Sequence, residues 1–162
     1  MKKRSRVISD KSGFTLVELM VVISILAILA LITVPSYMSW MPSYRLKGAA
    51  RDMISNLQLA KLEAIKRNTT CTVNIDVGGN AYNLQLPDST IIKTVSLGDY
   101  GSGITFTNTG NISNAITFSS RGIATFDPVP SDTMGKIFIT NNKQSVTHKI
   151  QITSIGTITL PR

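Results

Sequence analysis

The chain has few of the residue types on which enzyme active sites depend. Its 162 residues include one histidine and one cysteine. The sequence also has no carboxylate pair at a useful spacing and no glycine-rich loop of the kind that cradles phosphate. We therefore predict that the protein is not an enzyme and that it binds no cofactor. The single histidine, His148, lies in an alternating run and is interpreted as structural or solvated rather than as a base.

Charged residues are almost absent between Gly13 and Pro35, where one acid, Glu18, interrupts an apolar run. Residues 14–35 form enough helix to cross a hydrocarbon core of about 30 Å at about 1.5 Å per residue. We predict a transmembrane helix over this range. A carboxylate inside a membrane costs about 2.5–3.5 kcal/mol on insertion scales, so Glu18 requires a partner or a proton. It is therefore a candidate functional residue.

The segment before the apolar run is basic. It carries a net charge of +4, from one acid, Asp10, and five basic residues: Lys2, Lys3, Arg4, Arg6 and Lys11. Positive flanks stay on the cytoplasmic side, so the bulk of the chain is expected on the other side of the membrane. Because the apolar run exceeds the core of an ordinary secretory signal, any cleavage is expected before the helix, which makes residues 1–13 a leader.

Residues 13–19 (GFTLVEL), behind this basic leader, resemble the class III signal of type IV pilins and pseudopilins. The resemblance implies that a prepilin peptidase cleaves between Gly13 and Phe14 and methylates the new N-terminus of Phe14. It also implies that Glu18 pairs with the new ammonium of a neighbouring subunit during assembly. The expected partners are this peptidase, other pilins or pseudopilins, membrane lipid and an inner-membrane assembly platform. The expected location is the inner membrane with a periplasmic C-terminal domain, followed by a filament.

Helical periodicity continues beyond the apolar run, over residues 36–68. One apolar stripe recurs mostly at steps of three and four residues and is predicted to pack on the rest of the domain: Leu46, Ala49, Ala50, Met53, Leu57, Ala60 and Ala64. Pro35 and Pro42 predict a bend or a loosened turn between them. Leu59 and Leu62 are placed opposite the stripe, and we interpret them as possible subunit contacts.

After Asn68 the hydrophobic period changes to two, which is typical of strands. A hairpin is predicted around Gly78-Gly79-Asn80, because this turn permits positive φ. Many short strands after one long helix predict an α+β fold in which the helix packs on a small antiparallel sheet or sandwich. The predicted strands of the domain at 69–162 are 71–77, 81–86, 91–97, 104–107, 115–118, 123–126, 136–140, 146–153 and 157–160.

Two further segments narrow the resemblance. Residues 57–68 (LQLAKLEAIKRN) and 116–126 (ITFSSRGIATF) resemble the branch that contains the type II secretion pseudopilin H and the FimT minor pilins. This implies a minor pilin or pseudopilin, a structural subunit of a type II secretion pseudopilus or a type IV pilus. Gly122 is interpreted as part of a tight turn between strands.

DNA uptake is the alternative function, because some FimT-like minor pilins bind DNA through a C-terminal Gly-Arg-x-Arg motif. The corresponding residues 156–159 read Gly-Thr-Ile-Thr and lack both arginines. The net charge of the whole chain is +8, but the leader supplies half of it, and residues 69–162 carry only +1. DNA is therefore not expected as a partner, although Lys143, Lys149 and Arg162 could cluster in space.

Three smaller questions stay open from sequence. Cys71 cannot form an intrachain disulfide and is predicted to be a buried thiol, with an intermolecular bridge as the alternative. Asp127 and Asp132 could share a calcium ion, but a solvated turn is favoured, and no metal site is predicted. A membrane-anchored binding protein that never polymerises would require an uncut leader.

Overall fold

A computed structural model describes residues 13–107, 114–127, 134–143 and 145–161, without the side chains of residues 34–36. Several residues discussed above therefore lie outside the description. These are the basic residues of the leader, Asp132, Arg162 and the side chain of Pro35. The chain divides into two compact units, Met1–Ser39 and Trp40–Arg162. The long helix α1, Leu16–Lys66, contributes to both units.

The first unit consists, in its described part, of the apolar beginning of α1. Residues Leu16–Thr33 are long and apolar enough to cross a membrane, and none of this segment is buried within the protein. Its hydroxyl groups are internally bonded, because Ser24 Oγ donates to the carbonyl of Met20 and Thr33 Oγ1 donates to that of Leu29. A helix whose backbone and hydroxyl groups are satisfied internally is compatible with lipid.

The end of α1 lies in the second unit and forms a complete helix cap. Asn68 has a φ of 50°, in the left-handed region. Its N–H donates to the carbonyl of Ile65, and the N–H of Thr69 donates to that of Ala64. These two bonds are those of a Schellman motif, with asparagine where glycine is more common. The helix was expected to reach Asn68; it ends at Lys66 because Asn68 serves as the cap. It continues across both prolines.

Nine strands are described in the second unit, and they form two antiparallel sheets. The strands are β1 Cys71–Asp76, β2 Ala81–Gln85, β3 Ile91–Ser96, β4 Ile104–Thr107, β5 Ala115–Phe118, β6 Ala124–Asp127, β7 Met134–Asn141, β8 Val146–Thr153 and β9 Ile158–Thr159. The five-stranded sheet has the order β3-β2-β1-β5-β6, and the four-stranded sheet has the order β4-β7-β8-β9. A 3₁₀ helix, Leu97–Tyr100, follows β3.

The predicted α+β fold is confirmed. Each predicted strand matches an observed one, with ends that differ by at most two residues, and α1 packs on the two sheets through a single apolar core. All seven residues of the predicted helical stripe are buried. They join core residues of both sheets, such as Val73, Phe118 and Ile150. The positive φ in the β1–β2 turn falls on Asn80 rather than on either glycine.

Cys71, at the start of β1, is a buried free thiol, as predicted. Burial raises the pKa of this thiol, and the nearby Glu63 carboxylate raises it further. A protonated thiol surrounded by core residues behaves as a small apolar side chain. Cys71 therefore contributes to packing on the five-stranded sheet.

Candidate functional site

The residues of the predicted leader junction are exposed at the beginning of α1. Gly13 and Phe14 precede the helix, and Phe14 is 85 % exposed. Thr15 occupies the N-cap position, where its Oγ1 accepts a hydrogen bond of 3.2 Å from the backbone N–H of Glu18. Such a bond satisfies one of the four free N–H groups at a helix start. The predicted cleavage bond thus lies two residues before the first helical residue.

Glu18 lies in the first turn of α1, and its side chain is exposed. The sequence Thr15-x-x-Glu18 is a capping-box pattern, which could have been recognised in the sequence. A carboxylate at a helix N-terminus is favoured by the partial positive charge of the helix dipole. Among the described residues, the ion pairs all involve Glu63, which contacts Lys66 and Arg67. Glu18 therefore lies in the candidate membrane span and has no ion-pair partner among the described residues.

A buried polar network holds α1 against the sheet. Asn56 is 3 % exposed, and its Nδ2 donates to Asp52 Oδ2 at 2.8 Å and to the Tyr82 hydroxyl at 2.7 Å. Its Oδ1 accepts a hydrogen bond of 2.9 Å from Lys93 Nζ. Both amide hydrogens and the amide oxygen of Asn56 are thus satisfied, which offsets the cost of burying them. The network connects α1 with β2 and β3.

Two tyrosines of this region have raised pKa values. Burial is the main cause for Tyr82 and raises its pKa well above the usual value, although its bond with Asn56 opposes the effect. Burial also raises the pKa of Tyr100, and the hydrogen bond from Tyr100 to the Asp52 carboxylate raises it further. Both phenols are protonated at neutral pH, and both donate hydrogen bonds to the Asp52 carboxylate.

Near its end, α1 is connected to two strand turns through Lys61. Lys61 Nζ donates a hydrogen bond of 2.9 Å to the carbonyl oxygen of Gly156, in the turn between β8 and β9. Gly156 and Gly122 both have positive φ, and a Cβ atom at Gly156 would overlap the carbonyl oxygen of Gly122. The two turns therefore pack together. The assignment of Gly122 to a tight turn is confirmed, because its φ is 75° and its N–H donates to the carbonyl of Ser119. No pattern in the sequence indicated its contact with Gly156.

These turns border an exposed apolar surface, which we call the Leu62 surface and define as Leu62, Ile65, Ile123 and Ile155. Leu62 is 63 % exposed and Ile155 is 73 % exposed. Leu62 also lines a cleft of about 330 Å³, together with Gln58, Lys61, Gly156 and Ile158. Contiguous apolar groups that remain in solvent are typical of interaction sites. This surface is the strongest candidate for a subunit contact in the second unit.

The position of Leu59 differs from the one expected from sequence, where Leu59 and Leu62 were both placed on the face opposite the core stripe. Leu59 is half-buried and packs against the core. Helical periodicity identifies one buried face, whereas the core around α1 includes residues from two sheets and covers more than one side of the helix. Leu59 therefore contributes to folding, and Leu62 is the exposed leucine of the pair.

Two of the three basic residues considered for DNA binding, Lys143 and Lys149, are described by the structure, whereas Arg162 is not. Lys143, in the β7–β8 turn, donates to Ser102 Oγ, and Lys149 and His148 lie in β8. No group of three or more histidine, cysteine, aspartate or glutamate side chains could hold a metal among the described residues. Asp127 ends β6, whereas Asp132 lies outside the described residues.

Comparison with known protein families identifies the family to which this chain belongs. The family described as Type II transport protein GspH matches residues 49–156, more than half of the 162 residues. The chain belongs to the GspH family. A second match, the prokaryotic N-terminal methylation motif, covers residues 8–34 and so includes Gly13, Phe14 and Glu18. No curated protein sequence matches.

Solved structures of two minor subunits share the GspH-family fold. The type IV minor pilin FimU of Pseudomonas aeruginosa in space group P21 has a TM-score of 0.60 and 19 % identity, over 74 % of this chain and 90 % of that one. The minor pseudopilin EpsH of the Vibrio cholerae type 2 secretion system has a TM-score of 0.55 and 18 % identity, over 72 % and 96 % of the two chains. At these identities the likeness concerns the fold.

Family membership and fold together support a minor pilin or pseudopilin role, and they do not favour the DNA-binding alternative. Pilins and pseudopilins are structural subunits rather than enzymes, and the family implies assembly with other pilins or pseudopilins in a filament. The apolar beginning of α1 and the C-terminal globular domain fit a membrane-anchored protein.

Proposed function

We propose that the chain is made as a precursor, that a prepilin peptidase cleaves it between Gly13 and Phe14, and that the new N-terminus of Phe14 is methylated. Residues 1–13 are then a leader, and residues 14–35 hold the mature subunit in the inner membrane, with the globular domain in the periplasm. An inner-membrane assembly platform then moves the subunit into a type II secretion pseudopilus or a type IV pilus. The observation that carries this proposal is the methylation motif over residues 8–34.

The structure at the junction supports cleavage at this bond. Gly13 is exposed, and a Cβ atom built on it would meet no atom within 4 Å. Helix α1 begins at Leu16, so the chain on both sides of the bond is outside regular structure in the described residues. A protease requires an extended, accessible segment, which a hydrogen-bonded helix would not offer.

Glu18 is proposed to act during assembly. Cleavage creates an ammonium group at Phe14, and the carboxylate of Glu18 in a neighbouring subunit would neutralise it in the apolar interior. Because each charge alone is costly in lipid, pairing favours a subunit that joins another over one that remains alone. The exposed carboxylate at the first turn of α1 is accessible for such a contact.

The Leu62 surface is proposed as a contact with an adjoining subunit in the filament. Its four apolar side chains lie at the end of α1 and at the two turns that Lys61 contacts. Burial of exposed apolar surface contributes about 25 cal/mol per Å². The contact would therefore add to the affinity that Glu18 provides.

Mass spectrometry of the full-length protein, expressed in cells with and without a prepilin peptidase, tests the proposal. With the peptidase, we expect a mature chain that begins at Phe14 and carries the additional mass of one methyl group. Without it, we expect the precursor from Met1. An uncut chain in cells that contain an active peptidase would contradict the proposal and support a permanently anchored binding protein.

A further inference from the structure

Two turns of the second unit share one five-residue design. Residues 119–123 (SSRGI) lie between β5 and β6, and residues 153–157 (TSIGT) lead from β8 into β9. In each turn the first residue is a serine or threonine whose hydroxyl accepts a hydrogen bond from the N–H of the fifth residue, at 3.2 Å and 3.0 Å respectively. Its carbonyl accepts from the N–H of the glycine at the fourth position, at 2.8 Å in both turns. We call residues 119–123 and 153–157 the paired turns, because the same local bonds form both.

The paired turns belong to different sheets and pack directly on each other. The N–H of Ala124 donates a hydrogen bond of 2.9 Å to the carbonyl of Ser154. Gly122 and Gly156 are both buried, with φ values of 75° and 76°, where a residue with a Cβ atom would be strained. This junction connects the β6 edge of the five-stranded sheet to the four-stranded sheet.

Lys61 of α1 contacts both of the paired turns. Its ammonium donates to the carbonyl oxygen of Gly156 at 2.9 Å. Its stem lies against the other turn, since a Cβ atom built on Gly122 would be 2.7 Å from Lys61 Cε. A hydrogen bond from an ammonium is stronger than one between neutral groups, and the apolar stem of a lysine can pack while its charged end stays bonded. One side chain therefore holds two turns against the helix.

The Leu62 surface is assembled from these same three elements. Leu62 and Ile65 come from α1, Ile123 directly follows Gly122 in one turn, and Ile155 directly precedes Gly156 in the other. The positions of the two isoleucines therefore depend on how firmly the paired turns are held. A surface whose side chains are already in place loses less conformational entropy when a partner binds than a surface on mobile turns.

We propose that Lys61 is a positioning residue for the subunit contact. It holds the paired turns against α1, so that Ile123 and Ile155 lie in place beside Leu62 before an adjoining subunit binds. This role rests on the proposed function of the Leu62 surface. It goes beyond that function by assigning the order of the surface to a charged residue that acts through the turns rather than through the partner.

Hydrogen exchange of the full chain in detergent, followed by mass spectrometry, tests the link between Lys61 and the turns. Lys61→Met keeps the apolar stem and removes the ammonium, so amide exchange in both of the paired turns should become several-fold faster. Exchange in the β1–β2 turn should not change. Lys47→Met is the matched control, because Lys47 is an exposed lysine of the same helix. Unchanged exchange in the paired turns, or a Lys61→Met chain that is unfolded throughout, would overturn the positioning role.

Incorporation into sheared filaments, measured by immunoblotting, tests the consequence for assembly. Lys61→Met should reduce incorporation several-fold, whereas Lys47→Met should not. In a chain that also carries Ile155→Ser, the same lysine substitution should cause a smaller fold-reduction, because the side chain that it misplaces is already gone. Equal fold-reductions with and without Ile155→Ser would show that Lys61 does not act through this turn and would overturn the proposal.

The Leu62→Ser variant separates this proposal from the one on which it rests. Normal incorporation of Leu62→Ser would refute the contact itself, and the positioning role with it. If Leu62→Ser is lost from filaments while Lys61→Met is incorporated normally, the contact stands and only the positioning role of Lys61 is refuted.

Discussion

The hydroxyl of Tyr100 donates a hydrogen bond of 2.6 Å to Oδ2 of Asp52, which connects the 3₁₀ helix to α1 across 48 residues of sequence. The same carboxylate oxygen accepts from Nδ2 of Asn56. A hydrogen bond to a charged group contributes about 1.5–3 kcal/mol to stability, whereas a bond between neutral groups contributes about 1 kcal/mol. This bond therefore helps to hold the second half of α1 in its place on the five-stranded sheet.

The first prediction concerns this bond. Tyr100→Phe should lower the free energy of unfolding by about 1.5–3 kcal/mol, because it removes the hydroxyl and keeps the ring. Tyr44→Phe is the control, since the Tyr44 side chain is exposed and its change should stay within about 0.5 kcal/mol. Urea denaturation of the full chain in detergent, followed by circular dichroism, measures both. Equal stability of the two variants would show that the Tyr100 bond contributes nothing.

Alkaline pH should destabilise the fold through Tyr82 and Tyr100. Their pKa values are raised in the folded protein, whereas phenols of the unfolded chain ionise near their ordinary value of about 10. Above that pH the unfolded state loses protons first, so the free energy of unfolding falls as pH rises. The stability contribution is fully present below pH about 10. Denaturation midpoints at increasing pH should therefore decline, and Tyr100→Phe should lessen the slope. An unchanged slope in this variant would contradict the assigned shift.

Replacing either of two glycines of the second unit by alanine should change the stability of the fold, in opposite directions for the two positions. Gly156→Ala should destabilise, because Gly156 has a φ of 76° and its new Cβ would overlap the carbonyl oxygen of Gly122. Gly48→Ala should stabilise by about 0.5–1 kcal/mol, because Gly48 lies within α1 and a Cβ there meets no atom within 4 Å. Thermal denaturation of both variants checks the pair. A stabilised Gly156→Ala variant would refute the close packing of the two turns.

A substitution in the Leu62 surface should impair filament assembly without impairing folding. Leu62→Ser should leave the unfolding midpoint nearly unchanged and reduce incorporation into sheared filaments, as measured by immunoblotting. Ile91→Ser is the control, because Ile91 is also exposed but lies on β3, at the opposite edge of the five-stranded sheet from β6. Leu59→Ser should instead lower stability, since Leu59 packs on the core. Normal incorporation of Leu62→Ser would remove this surface from the filament contacts.

We predict that filament assembly depends on the negative charge of Glu18. Glu18→Gln keeps the shape of the side chain and removes the anion, so the subunit should remain in the membrane and be lost from filaments. Glu63→Gln is the control, because Glu63 belongs to the same helix but pairs with Lys66 and Arg67 at the surface. Quantitative immunoblots of membrane and filament fractions distinguish the outcomes. If Glu18→Gln filaments retain the subunit at the normal level, the charge-pairing proposal fails.

The order of helix and strands followed from the sequence because each element has its own period. The stripe from Leu46 to Ala64 repeats with the helical period, and the residues of β8 alternate as a half-buried strand does. The predicted start and end of the helix each differ from the observed ones by about two residues. At the start, Thr15 serves as a cap rather than as the first turn, and at the end Asn68 takes a left-handed conformation.

Local patterns in the sequence determined the leader motif, the apolar span, the core stripe of α1 and the strands, because these depend on neighbours a few residues apart. The tertiary structure alone decided that Leu59 packs inward while Leu62 stays exposed, that Asp52 meets Tyr100, and that Lys61 meets Gly156. The physical reason is that these contacts join residues far apart in the chain, and two sheets around one helix set which of its sides remain in solvent.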